Sequence, residues 1–178
     1  MTADADAPEQ IMWEGRFITA RKRGRWEYVS RSRGIKAAVI LAVDDVNHVI
    51  LVEQYRVPLG RACIELPAGL IGDHDDGPDE DATVAGAREL EEETGYAAGR
   101  IEAVGEFFSS PGMVSESFTL LRAHELTKVG EGGGVDSENI TVHRVPLDRI
   151  EQAVAEWRAQ GYAIDVKLLL LLGAKLLG

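Results

Sequence analysis

Three glutamates, Glu89, Glu92 and Glu93, lie close together in the chain. At about 100° per residue of an α-helix they fall within roughly a 100° arc of one face. Like charges this close repel and weaken an isolated helix, and a divalent cation between them reverses that cost. Mg²⁺ is the natural choice, because it is a hard ion held by a few carboxylates together with water and substrate phosphates. Val84, Ala87 and Leu90 project to the other side of the same helix and are expected to anchor it on a sheet. An acidic run by itself reads as a solvated surface. Here the run is embedded in a longer fixed spacing: Glu80, seven residues, Arg88-Glu89-Leu90, one residue, Glu92-Glu93, one residue, Gly95-Tyr96.

The elements that must position these side chains follow from pattern and punctuation. A helix is expected over residues 80–94, stopped by Gly95 in the C′ position and preceded by a polar loop over residues 73–79. Upstream, residues 1–10 read as a loose polar tail. Residues 11–31 alternate apolar and polar positions around Phe17 and around Trp26-Glu27-Tyr28-Val29, with the basic turn RKRGR between, which predicts a hairpin. Strands are expected over 37–43 and 49–54 with a turn at 44–47, and a short extended piece over 63–66 ends at Pro67. Further strands are expected near 101–108, 117–124 and 140–145, with helices over about 147–160 and from about 165. Strands and helices mix without strict alternation, which argues for an α+β or a layered α/β/α domain around a mixed β-sheet. Residues 1–35 are expected to form the tail and N-terminal antiparallel hairpin, whose aromatic residues suit it to dimerisation, and residues 36–178 the main domain.

Composition narrows the function. The 178 residues are 45% hydrophobic and 28% charged, with net charge −11. Ten acids against one arginine occupy residues 73–93, so the rest of the chain is near neutral. A nucleic-acid surface needs the opposite sign. The start of the chain lacks a basic and then apolar leader, and the leucine-rich end is too short to span a bilayer, so a cytoplasmic location and no membrane partner are expected. The single cysteine, Cys63, excludes an internal disulfide framework. His48, His74, His124 and His143 lack ligand spacing.

The segment from Glu80 to Tyr96 resembles the Nudix box, the family pattern G-x5-E-x7-R-E-U-x-E-E-x-G-U with U a bulky apolar residue. Its opening glycine is matched by Gly69, in Glu65-Leu66-Pro67-Ala68-Gly69-Leu70, ten residues before Glu80 where the family has five. Residues 72–76 read as a loop insertion. The resemblance implies that Glu89 and Glu93 are metal ligands, that Glu92 is a further ligand or supporting catalytic group, and that the main-chain oxygen of Ala68 completes the shell. Arg88 would orient a glutamate and Glu80 the loop–helix joint.

Outside the box, three features are similar to the ADP-ribose pyrophosphatase branch. They are Glu53-Gln54-Tyr55-Arg56 with the ELPAG segment, Pro111 sixteen residues after Gly95 with Glu116 beyond it, and the acidic glycine loop Gly132-Gly133-Gly134-Val135-Asp136-Ser137-Glu138. By that resemblance Glu53, Arg56, Pro111 and Glu116 contact substrate. Arg56 suits a diphosphate clamp, with a surface ion pair as the alternative. Glu116 is a second candidate ligand, and Asp136 or Glu138 is the general base on a loop able to close. The implied activity is magnesium-dependent (or manganese-dependent) hydrolysis of the pyrophosphate of a nucleoside diphosphate sugar, first ADP-ribose, giving AMP and ribose 5-phosphate. GDP-mannose is the alternative substrate, and a non-catalytic nucleotide sensor the alternative class. The resemblance also implies a homodimer, with Trp13, Phe17, Trp26 and Tyr28 in core or dimer packing.

Overall fold

A computed structural model describes residues 4–32, 35–72, 80–135 and 138–176. Three strands open the chain: β1 (Glu9–Glu14), β2 (Ile18–Arg23) and β3 (Trp26–Arg31), forming an antiparallel sheet in that order. The expected hairpin is β2–β3, turning at the positive-φ Gly24. The expected loose tail is corrected at its end, because Glu9 and Gln10 pair with Arg23 and Lys22 and add a third strand. The sheet is fastened to the rest by Val29, whose amide donates to the Met113 carbonyl while the Ser115 amide donates to its own carbonyl, both at 3.0 Å.

The main body holds two mixed four-stranded sheets, where the sequence suggested one. The first runs β7 (Ala68–Ile71), β4 (Lys36–Ala42), β9 (Ser117–Lys128), β8 (Tyr96–Phe108). The second runs β10 (Thr141–Pro146), β5 (His48–Arg56), β6 (Arg61–Glu65), β11 (Ala163–Ile164). Among the described strand pairs of these two sheets, β4–β9 and β6–β11 are parallel and the rest antiparallel. Strand β7, four residues long, carries too little pattern to have been read as a strand.

Period-two alternation splits the core between two helical layers. Ala38, Ile40 and Ala42 of β4 and Ile50 of β5 pack towards α1 (Ala82–Thr94), with Ala85, Leu90, Leu121 and Ala123. Val39 of β4 and Val49 and Leu51 of β5 face the other way. They meet Ile150 and Val154 of α2 (Ile150–Ala159), and Leu172 of α3 (Leu169–Leu176) with the preceding Leu168. The result is the expected α/β/α layering.

Helix α1 is set deeper than its charge suggests. Its buried residues are Ala85, Gly86, Leu90, Glu93 and Thr94, whereas Val84 is 59% exposed. The expected anchor of Val84, Ala87 and Leu90 is therefore rotated towards the glutamates. Small residues permit this: a Cβ on Gly86 would stand 2.2 Å from Leu121 Cδ1. The rotation carries Glu93 into the interior. No helix among the described residues is long and apolar enough to cross a membrane.

Candidate active site

The carboxylate helix starts where Asp81 caps it, its side chain accepting from the Thr83 amide at 2.8 Å, and it stops at Gly95 with φ 70°. The Gly72 amide donates to Glu80 Oε2 at 2.9 Å, tying the far side of the loop to the helix start. Residues 73–79, which include all of the expected 72–76 insertion except Gly72, lie outside the described residues.

Glu93 is 5% exposed, and the Ala68 amide donates to its Oε2 at 2.9 Å. Burial, reinforced by the negative charges of Glu89 and Glu138, pushes its carboxyl up to about 8 against the opposing pull of the Ala68 amide and Arg56. Glu89 lies across Gly69, where a Cβ would stand 1.9 Å from Glu89 Cδ. With Glu89 in this position, a side chain at residue 69 has no space. Arg88 Nη1 donates to Glu89 Oε1 at 2.8 Å and lies 3.6 Å from Glu92 Oε2, and Arg88 Nη2 is 3.8 Å from Glu80 Oε1. The arginine thus gathers three of the box carboxylates, where the resemblance implied that it would orient one glutamate.

Glu93, Glu89, Ala68 and Gly69 line a cavity of about 580 Å³ that also takes in Arg56, Glu65, Glu116 and Glu138. This volume is in the range of small-molecule sites. Arg56 forms a two-pronged pair with Glu65, Nε to Oε1 at 2.6 Å and Nη2 to Oε2 at 2.9 Å. The ion pair weighed as the alternative to a clamp is present, and the guanidinium stays at the cavity wall while Glu65 holds it. Glu116 accepts from Arg31 at the base of the N-terminal sheet. Glu138 is fixed by the Val135 amide, which donates to its Oε2 at 3.0 Å.

Several candidates are placed elsewhere. Glu92 turns outwards, its side chain 42% exposed, and does not line the cavity. Glu53 is on the opposite face of β5 from Gln54 and Arg56, paired to His143 Nε2 at 2.9 Å, because alternation along a strand sends neighbours to opposite sides. Pro111 borders a separate hollow of about 460 Å³ with Trp26, Tyr28 and Arg23. Asp136 lies outside the described residues. Trp13, Phe17 and Trp26 are exposed, so within one chain they are not core.

Other wall residues escaped the sequence reading. Arg31 ends a strand whose alternation drew attention to its aromatics. Asp165 and Lys167, 2.8 Å apart, sit at the start of the leucine-rich end, which read as purely structural. Cys63 also borders the cavity, its thiol pushed up to about 12 by burial and by Glu65 and Asp165, so it is no nucleophile.

Whether these residues suit a hard cation turns on Glu93. A buried carboxylate with one backbone donor and two acidic neighbours is poorly satisfied by protein alone, and a cation at the cavity wall would satisfy it. Among the described residues no three acidic, histidine or cysteine side chains already converge as a ligand set. Glu89 is held by Arg88 and Glu92 faces solvent, so side-chain rotation at these two would have to complete the set.

A family model for the NUDIX domain matches residues 33–164. The chain belongs to the NUDIX domain family. Similar curated proteins include a methanol dehydrogenase activator of Bacillus methanolicus, 36% identical over 123 residues, covering 68% of this chain and 64% of that protein. An ADP-ribose pyrophosphatase of Bacillus subtilis (strain 168) is 36% identical over 113 residues, 63% and 58% of the two. A GDP-mannose pyrophosphatase of Cronobacter sakazakii (strain ATCC BAA-894) is 37% identical over 149 residues, 79% and 72% of the two. The aligned region spans about three fifths of the length of the first two. A solved structure described as an ADP compounds hydrolase superposes with TM-score 0.71 over 95% of this chain and 91% of that one, at 22% identity, which shows the fold.

Proposed function

We propose that the chain hydrolyses the pyrophosphate bond of a nucleoside diphosphate sugar, with ADP-ribose the first substrate and AMP and ribose 5-phosphate the products. The observation that carries this is the buried Glu93 beside Glu89 and Glu138 on a cavity that also presents Arg56. Similarity to an ADP-ribose pyrophosphatase supports the substrate class. A GDP-mannose pyrophosphatase at 37% identity supports GDP-mannose as the second reading. The intact box carboxylates weigh against a sensor that only binds.

Magnesium, or manganese in its place, would be held by Glu89 and Glu93 with the Ala68 main chain. When bound, it neutralises diphosphate charge and makes water a better nucleophile at neutral pH. The chain's own residues do the rest. Arg56, preset by Glu65, orients a phosphate oxygen. Glu138 accepts the proton of the water that attacks phosphorus, as the bond from that phosphorus to the bridging oxygen breaks and the leaving phosphate carries the electron pair away. Arg88, paired with Glu89, restrains the rotation by which that carboxylate would reach the cation. The working unit is proposed to be a homodimer joined through the N-terminal sheet, in the cytoplasm.

The test is hydrolysis of ADP-ribose, GDP-mannose, ADP-glucose and NADH, each with magnesium chloride and with chelator. ADP-ribose is expected to be cleaved fastest, and only with the metal. Equal rates in chelator would remove the metal from the reading, and no turnover of any of the four would remove the substrate class. Glu93→Gln is expected to lower turnover by at least about 100-fold with folding intact.

A further inference from the structure

The last four residues of α1 leave carbonyls with no partner inside the helix, and each is satisfied in an informative way. Gly95 N–H donates to Glu91 O at 2.8 Å, the ordinary helix stop. Glu92 O accepts from the Gly134 amide at 3.0 Å, and Glu93 O accepts from the Gly133 amide at 2.8 Å. Thr94 O accepts from Lys128 Nζ at 2.9 Å. The ammonium also lies 4.7 Å from the centre of the Tyr96 ring and 3.4 Å from Glu131 O. Three of the four caps thus come from the stem of the acidic loop, 34 or more residues further along the chain than the residues they cap.

At two of its glycines the stem leaves no room for a side chain. A Cβ on Gly132 would stand 2.4 Å from the Thr94 carbonyl carbon, and that glycine has φ +72°. One on Gly134, at φ +73°, would stand 2.3 Å from Glu138 Oε2. One residue beyond Gly134, the Val135 amide holds the Glu138 carboxylate. A single residue therefore separates a hydrogen bond to the Glu92 carbonyl from a hydrogen bond to the Glu138 side chain. Glu138 and Glu93 meet at the same cavity wall.

We propose that residues 128–135 are a positioning element that registers the Glu138 carboxylate against the carboxylate helix, with Lys128 and Gly134 as its positioning residues. The loop that carries the proton acceptor is not hung on its own hinge. Its stem is the C-terminal cap of the helix that carries Glu89 and Glu93, so a shift of one displaces the other. A cation at a helix C-terminus is favourable in itself, which makes Lys128 a fastening that also suits the helix. The proposal rests on the reading of Glu138 given above.

The test combines Lys128→Met, Gly134→Ala and Glu138→Gln, singly and with each positioning variant paired to Glu138→Gln. ADP-ribose with magnesium chloride is the substrate, and backbone amide exchange is measured on the metal-free proteins. Lys128→Met and Gly134→Ala are each expected to lower kcat by roughly tenfold or more with KM within about twofold, since an ångström of misplacement is enough. In the Glu138→Gln background neither is expected to lower kcat further, because the group they place is gone. The amides of Gly133 and Gly134 are expected to exchange slowly in the wild type and faster in Lys128→Met. Multiplicative losses in the double variants, or unchanged exchange at those two amides, would overturn the proposal. If Glu138→Gln alone kept wild-type turnover, the proton-acceptor reading would fall, and the exchange comparison alone would then decide the coupling.

Discussion

At the scale of the residue, Glu93 shows how one buried charge links stability to chemistry. Its carboxyl is pushed up to about 8 from an ordinary 4.5, first by burial and then by Glu89 and Glu138. The folded state therefore holds a proton that the unfolded state releases between those two pH values. The metal-free protein is expected to be most stable below about pH 4.5 as far as this group is concerned, and to lose stability as pH rises towards 8. Thermal melting in chelator from pH 5 to pH 8.5 measures it. Glu93→Gln should flatten the slope, and magnesium should restore the wild type most at the alkaline end, where the carboxylate is free to bind. A slope unchanged by the substitution would assign it to other groups. Arg56 makes a second case. Glu65 is buried against it and supports it on two prongs. Arg56→Ala should raise KM for ADP-ribose by about tenfold and destabilise the fold by about 1–3 kcal/mol, because a buried carboxylate is left with its acceptors unmet. A normal KM with lowered stability would reduce Arg56 to a structural ion pair.

At the scale of the element, α1 is held by its ends. Asp81 satisfies the first turn and the Gly95 region the last, so the helix keeps its register although four acids crowd its second half. Gly95 is the critical joint. It has φ 70°, and a Cβ there would stand 2.1 Å from the backbone oxygen of Gly130. Gly95→Ala should therefore destabilise by more than the ~1 kcal/mol of a left-handed non-glycine residue. For a domain of this size that lowers Tm by about 2–4 °C per kcal/mol. A calorimetric scan showing no decrease would mean that the loop stem can retreat freely, contrary to its hydrogen bonds with the helix.

At the scale of the whole molecule, the N-terminal sheet is an open question of burial. Ile11, Met12, Trp13, Phe17 and Trp26 are all more than half exposed on a sheet of three strands. Apolar patches of this kind are costly in water and commonly mark contacts between chains. The sheet is also not remote from the chemistry, since Arg31 at its end pairs with Glu116 at the cavity. Sedimentation at micromolar concentration is expected to give a dimer, and Trp13→Glu with Phe17→Glu to give a monomer of lowered activity. A wild type that sediments as a monomer would leave this surface for another partner.

The sequence by itself determined the carboxylate helix, its Gly95 stop, the β2–β3 hairpin, the strands flanking the turn at residues 44–47 and the α/β/α layering. All of these are written in local periodicity and turn chemistry, which act over a few residues. The resemblance of its segments to the Nudix pattern marked Glu93, Glu89, Arg56 and Glu138, which the fold brings to one cavity. Tertiary structure alone decided which glutamates face inwards. The rotation of α1 depends on how closely Gly86 lets it approach Leu121, and no periodicity within α1 reports that distance. It decided that Glu53 faces away from Arg56's cavity, since strand alternation names two faces but not which one is the site. It decided that Lys128 and Arg31 join the site or its supports, because pairings across 34 and 85 residues are made by folding, and a sequence scanned along its length records no contact between its distant parts.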